Sequence, residues 1–227
     1  MAFHIHVKTP HEKCIFWDRG HSARNKNKTY LTGEHKHSKF FQHSTGEYHG
    51  DGMFEEGTKN QEYSLLAMEA IIKRGINVVP IYHSYKDTPL LTRASFANLY
   101  HATIQQGIGL SEHSNAFNSN ARGFSVFTSP GYSPADPLAT RLIEMYEDTF
   151  MSIETAKHSK LSVRKDLSDR DPDYEARFTM LVRTIMPFLL VENLFFDNSL
   201  DADILEADWY KDTYPEFIAE WADEICM

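Results

Sequence analysis

The chain has 227 residues, 41% hydrophobic and 24% charged, which is enough for one domain with a substantial core. Acidic residues outnumber Lys and Arg by 32 to 23, for a formal net charge of -9, and this argues against a nucleic-acid partner, which would need a basic face. No stretch approaches the roughly 20 apolar residues of a membrane span, and the opening MAFHIHVKTPHEK has no apolar core of the secretory-signal type.

In chain order, CIFW at 14–17 reads as a short buried strand, and Asp18-Arg19-Gly20-His21 as the turn that ends it. The next segment, about 22–55, is rich in Lys, His, Asn, Gly and Ser and lacks periodicity. It is expected to be a long loop, of the kind that is usually functional or disordered. Its histidines His35, His37, His43 and His49 are expected in solvent. A helix is predicted over 60–74, with Leu65, Met68, Ile71 and Ile72 at helical spacing and Gly75 as its stop. A strand follows at 76–81, then a helix over 90–106 with Leu91, Ala94, Ala97, Leu99 and Ile104 along one side. A short strand at 107–110 leads into Ser111-Glu112-His113, and 122–128 alternates like a further strand.

One long helix is expected over 134–158 and a charged loop over 159–176. Strands are expected at 178–182 and 188–191, and one or two helices in a tail at about 199–227. In that tail Trp209, Phe217 and Trp221 are expected to pack a helix on the sheet. Two cysteines are too few for a disulfide framework, so both are expected as free thiols, Cys14 in a strand and Cys226 at a frayed end. The alternation predicts an α/β fold: a single domain over 1–227, with a mixed, mostly parallel sheet and helices on both faces.

Ligands of such sheets bind outside the carboxyl ends of the strands. His21, His113 and Glu192 each follow a predicted strand, so they gather at one edge. Glu192 is the most informative of the three. It stands between PFLLV and NLFF, where an unpaired carboxylate would cost several kcal/mol or be forced neutral. The plain alternative is a strand-end Glu turned to solvent. Two His and one carboxylate make a common catalytic zinc set. For the carboxylate, Glu55, Glu56 and Glu62 near the first helix all compete. Glu192 suits a proton shuttle beside the metal. No HExxH helix is present.

These residues stand in segments whose order resembles the zinc-dependent N-acetylmuramoyl-L-alanine amidases of the type-3 group, found in bacterial cell-wall hydrolases and phage endolysins. WDRGHS is similar to the family's DPGHGG-like turn, which implies His21 as a zinc ligand. Glu56 and Asn60 match its Glu-x-x-x-Asn helix start, with Gly75-Ile76-Asn77-Val78-Val79 as the exit. Leu90, Arg93, Ala97 and Asn98 match a further segment. Ser111-Glu112-His113-Ser114-Asn115-Ala116, followed by Ala121-Arg122-Gly123-Phe124, is similar to the SIHANA segment and implies His113 as a ligand. PFLLVENLFFDN matches PAVLVExGFLSN and implies Glu192 as the catalytic glutamate.

The likeness spans roughly 13–225. It departs at Arg19, Ser22 and Asn193-Leu194, and in the length of the 22–55 loop.

The resemblance implies one zinc ion held by His21, Glu56 and His113, with Glu55 or Glu62 as competitors for the middle place. It also implies hydrolysis of the amide between N-acetylmuramic acid and L-alanine in peptidoglycan. Arg93 and Asn115 are not expected to be catalytic. Two other functions compete: a zinc peptidase acting within the stem peptide, and a non-catalytic wall-binding module. The chain is expected to be a monomer. Without a signal it would be made in the cytoplasm and reach the wall through a phage holin, although a chain from which a signal has been removed would look the same.

Overall fold

The computed structural model describes residues 12–44 and 52–227, and the fold is built on β1, Cys14–Arg19. Every residue of β1 is buried, because β1 lies inside the sheet with both neighbours parallel and both faces covered. The remaining strands of this sheet are β4 (Val78–Pro80), β5 (Gly107–Asn115), β6 (Ser125–Thr128), β7 (Tyr174–Glu175) and β8 (Phe188–Phe195), in the order β4-β1-β5-β8-β6-β7. The first four in that order are parallel. β6 runs antiparallel to β8 and β7 parallel to β6, so the sheet is mixed and mostly parallel.

Alternation along the strands divides the core into two layers. Ile15, Trp17, Leu110, Leu189 and Val191 face the larger layer. It is formed by α1 (Glu56–Lys73), α3 (Asp136–Phe150), α6 (Ser199–Glu206) and α7 (Asp208–Cys226). Cys14, Phe16, Phe188 and Leu190 face the smaller layer under α2 (Leu90–Thr103) and α5 (Thr179–Arg183). Phe217 and Trp221 pack α7 into the larger layer, as expected from the tail's aromatic content.

Several sequence-based boundaries shift. The segment read as a loop over 22–55 carries a 3-10 turn, Glu34–His37, and an antiparallel pair, β2 (Phe40–Gln42) and β3 (Met53–Glu55), which leads directly into α1. The single helix over 134–158 is two, α3 and α4 (Glu154–His158), separated by a turn at Met151 and Ser152.

The strand expected at 178–182 is the helix α5. A short apolar run has no decisive period, and here neighbouring Met180 and Leu181 are both buried, while the Phe178 carbonyl accepts from Leu181 and Val182 N–H groups. Of the apolar residues at helical spacing, Leu65, Ile72, Leu91, Leu99 and Ile104 are exposed, and Ala94 and Ala97 carry the contact of α2 with the core. Cys226 is not frayed: α7 runs through it, and its thiol is fully buried and pushed up to about 12 by that burial. Both cysteines are free.

Candidate metal centre

β5 and β8 extend past their predicted ends, so His113 and Glu192 lie within the strands and not after them. They are register partners in a parallel pair, which directs both side chains to the same face of the sheet. His21 reaches them from the next strand over. It follows Gly20 with its own backbone in the left-handed region (φ 58°), an uncommon state for a non-glycine residue and one that clusters at functional sites. Gly20 is required by packing, since a Cβ there would overlap the His113 ring. Gly57 plays the matching part on α1, where a Cβ would strike the Ser22 carbonyl, and this brings the first turn of α1 against the chain that carries His21.

Glu56, the first residue of α1, joins the two imidazoles. His113 Nδ1 stands 3.2 Å from Glu56 Oε1, and His21 Nε2 stands 3.4 Å from Oε2. The two rings are nearly perpendicular, with centroids 5.5 Å apart. One donor atom from each of the three residues lies within 4.8 Å of the others, so this cluster can hold a divalent cation. Two ligands of a tetrahedral zinc at ordinary bond lengths sit roughly 3.4 Å apart, so these spacings fit that ion.

Glu56 is fixed by the Asn60 amide (3.2 Å) and the Ser114 N–H (3.4 Å), and Ser114 Oγ donates in turn to Asn60 Oδ1 (3.2 Å). The competing carboxylates are engaged elsewhere. Glu55 pairs with Arg24 and accepts from Thr58, while Glu62 pairs with Lys59 and Lys211.

Burial opposes charge throughout the cluster. It lowers the pKa of His21. It would also raise Glu56, but the His113 hydrogen bond and the two imidazoles hold that carboxyl below its usual range. For His113 burial likewise favours the neutral ring, yet the Glu56 carboxylate prevails and lifts it to about 9. For Glu192 burial outweighs the attraction of nearby His113, and Glu56 and Glu112 add to the effect of burial. Its carboxyl is pushed up to about 8, and its Oε2 is sealed from solvent with no hydrogen-bond donor among the described residues. An orphaned carboxylate oxygen beside three convergent donors is the arrangement expected of a site that works on a ligand or water.

Behind the cluster, Asp18 accepts from Ser111 Oγ (2.8 Å) and from Arg93 Nη1 (2.8 Å), and Arg93 also binds the Arg19 carbonyl and Asp87. This buried pair holds the ends of β1 and β5 to α2 and gives Arg93 a structural role. Asn115 lies beyond the cluster, its Oδ1 accepting from the Ala116 N–H. A cleft of about 400 Å³ opens over His21, His113 and Glu192, walled by Leu90 on α2 and by Phe178, Thr179 and Met180 at the start of α5.

Sequence reasoning missed the α5 wall because it read that segment as a strand. His43 was also missed: it is buried, with Nε2 2.9 Å from the Phe196 carbonyl, and so ties β2 to the end of β8. His35 is exposed, whereas the His37 side chain and His49 lie outside the described residues.

The fold has close counterparts of known structure. An N-acetylmuramoyl-L-alanine amidase from Clostridium difficile 630 superposes with a TM-score of 0.66 at 19% identity, over 93% of this chain and 95% of its own. The catalytic domain of CwlV, from Bacillus (Paenibacillus) polymyxa var. colistinus, gives 0.66 at 19% identity over 93% and 97%. The catalytic domain of the CD27L endolysin, targeting Clostridia difficile, gives 0.55 at 17% over 93% and 95%. At these identities the likeness speaks for the fold. No curated protein matches in sequence. A family model described as N-acetylmuramoyl-L-alanine amidase matches residues 15–222, nearly the whole chain, and the chain therefore belongs to that amidase family, the type-3 group.

Proposed function

We propose that His21, Glu56 and His113 hold one zinc ion, and that Glu192 is the acid–base residue for hydrolysis of the amide between N-acetylmuramic acid and L-alanine in peptidoglycan. One observation carries the reading: three convergent donor atoms, with the two imidazoles lining the cleft, stand beside a carboxylate oxygen that lacks a hydrogen-bond partner among the described residues. Two imidazoles and a carboxylate form a donor set common to hydrolytic zinc sites. When bound there, zinc supplies a Lewis acid charge and makes water more acidic.

The chain's own groups supply the rest. Glu192 Oε2 accepts a proton from the water that attacks the amide carbonyl carbon, then returns it to the departing nitrogen as the C–N bond breaks. The products are a lactyl carboxylate and the free α-amine of L-alanine. A buried carboxyl beside the metal cluster can hold the transferred proton until the nitrogen departs. Asn60 and Ser114 keep Glu56 oriented, and Gly20 leaves room for the His113 ring. Apolar Leu90, Met180 and Leu190 line the cleft and thin out bulk water around the reacting amide.

The chain would act at the wall as one catalytic unit and a monomer, and its net charge of -9 is unsuited to a nucleic-acid partner. No helix among the described residues is long and apolar enough to cross a membrane.

Digestion of purified peptidoglycan with the zinc-loaded protein, followed by mass spectrometry, tests the assignment. Whole stem peptides with a free L-alanine amine, together with sugar chains bearing unsubstituted lactyl groups, are expected. Shortened stem peptides would establish a peptidase instead, and wall binding without any product would establish a binding module.

A further inference from the structure

The charged groups that line the cleft are His21, His113, Glu192, Asp18, Asp87, Arg93 and Arg177. Most are matched within the protein. The two imidazoles face Glu56, and Arg93 is shared by Asp18 (2.8 Å) and Asp87 (2.7 Å). Glu192 is taken by the reaction proposed above. Arg177 remains, and it has no carboxylate partner among the described residues.

Its backbone is held on both sides. The Ala176 N–H donates to the Thr128 carbonyl (3.0 Å), and the Phe178 ring lies 5.5 Å from that of Phe127 on β6. Phe178 also starts α5 by accepting from Leu181 and Val182. The guanidinium thus stands on an anchored base at the exposed end of a cleft whose other walls are largely apolar. A guanidinium forks onto a carboxylate through two parallel N–H donors, so a free one beside an apolar wall suits a peptide bearing an acidic group.

We propose that Arg177 is a specificity-determining residue that reads a carboxylate on the stem peptide beyond the scissile amide, and so selects acidic over amidated stems. This rests on the amidase reading, with the leaving peptide taken to run along the α5 wall. Because the contact is remote from the bond that breaks, its effect belongs mainly in KM.

The test uses the zinc-loaded full chain and two synthetic muropeptides that differ only at the residue after L-alanine, one with a free carboxylate and one with its carboxamide. The wild type is expected to favour the carboxylate by roughly 10- to 100-fold in kcat/KM, the range of a charged hydrogen bond. R177A should bring that ratio towards one through KM, R177K should restore part of it, and R177E should invert it. A structural defect would instead slow both substrates alike and leave the ratio unchanged. An active R177A that keeps the wild-type ratio, or a wild type that cleaves both peptides equally, overturns the proposal while the amidase reading stands. A wild type that cuts neither at the lactyl amide removes the amidase reading itself.

Discussion

Asn193 Nδ2 donates to Glu112 Oε1 at 3.1 Å, joining β8 to β5 one residue after Glu192 and one residue before His113. The two side chains point to the opposite face of the sheet from the metal centre and meet α7. There Tyr214 Oη donates to Glu112 Oε2 (2.8 Å) and Tyr210 Oη to Asn193 Oδ1 (2.5 Å). Each of these two buried polar side chains supplies the other's partner. The result is a buried polar tie directly behind the two strands that carry the site.

This tie has a pH signature. Burial raises Glu112 from an ordinary 4.5 to about 7, despite its bonds to Tyr214 and Asn193. The folded chain therefore holds this proton more tightly than the unfolded chain does. The stability it contributes is fully present below about pH 4.5 and is lost as pH rises through about 7. For metal-free protein the melting temperature should fall between pH 5 and pH 8, and the Glu112→Gln variant should flatten that fall. The span is on the order of 3 kcal/mol. An unchanged slope in the variant would assign the effect to another group.

Glu192→Gln keeps the shape of the side chain and removes its base. Amide cleavage should drop by about 10²- to 10⁴-fold in kcat, the usual contribution of a positioned general base. Bound zinc measured by elemental analysis should stay at one ion per chain. Loss of the metal together with the activity would mean that Glu192 serves the ligand set.

His113→Ala removes a donor from the cluster, and zinc and activity should both be lost. A chelator should abolish wild-type activity, with recovery on adding zinc back. Gly20→Ala tests the same point without touching a ligand, because its methyl group would occupy the space of the His113 ring. Weaker zinc binding with the fold retained by circular dichroism is the expected result, and wild-type affinity would show that the ring can shift without consequence.

Leu194 lies fully buried in the left-handed region (φ 66°), at the irregularity where the register between β5 and β8 shifts after His113. Its side chain packs in the larger core layer, so Leu194→Ala should cost about 2–5 kcal/mol. Glycine usually costs more than alanine inside a strand, but here a positive φ favours it by roughly 1 kcal/mol. Leu194→Gly should therefore unfold in urea at or above the midpoint of Leu194→Ala. The ordinary order, with alanine clearly more stable, would show that the backbone relaxes when the side chain is removed.

By itself the sequence determined the strand–helix alternation, and with it a mixed sheet that gathers His21, His113 and Glu192 toward the carboxyl side of its strands. Those are local properties: apolar runs, helical spacing, and a polar group set against a strand. Family spacing singled out Glu56 among three neighbouring glutamates. The tertiary structure supplied the contacts that distinguish them, with Arg24 and Lys59 engaging Glu55 and Glu62.

What only the tertiary structure decided is non-local. The 178–182 run carries no decisive period, and its helical state depends on how Met180 and Leu181 pack under α2. Glu112 and Asn193 look like two unrelated polar intrusions into apolar strands until β5 and β8 are aligned and α7 brings two tyrosine hydroxyls to them. Arg177 looks like any surface arginine until the other charges of the cleft are paired off. In each case the free energy depends on a partner far away in the chain, and that partner is known only once the chain is folded.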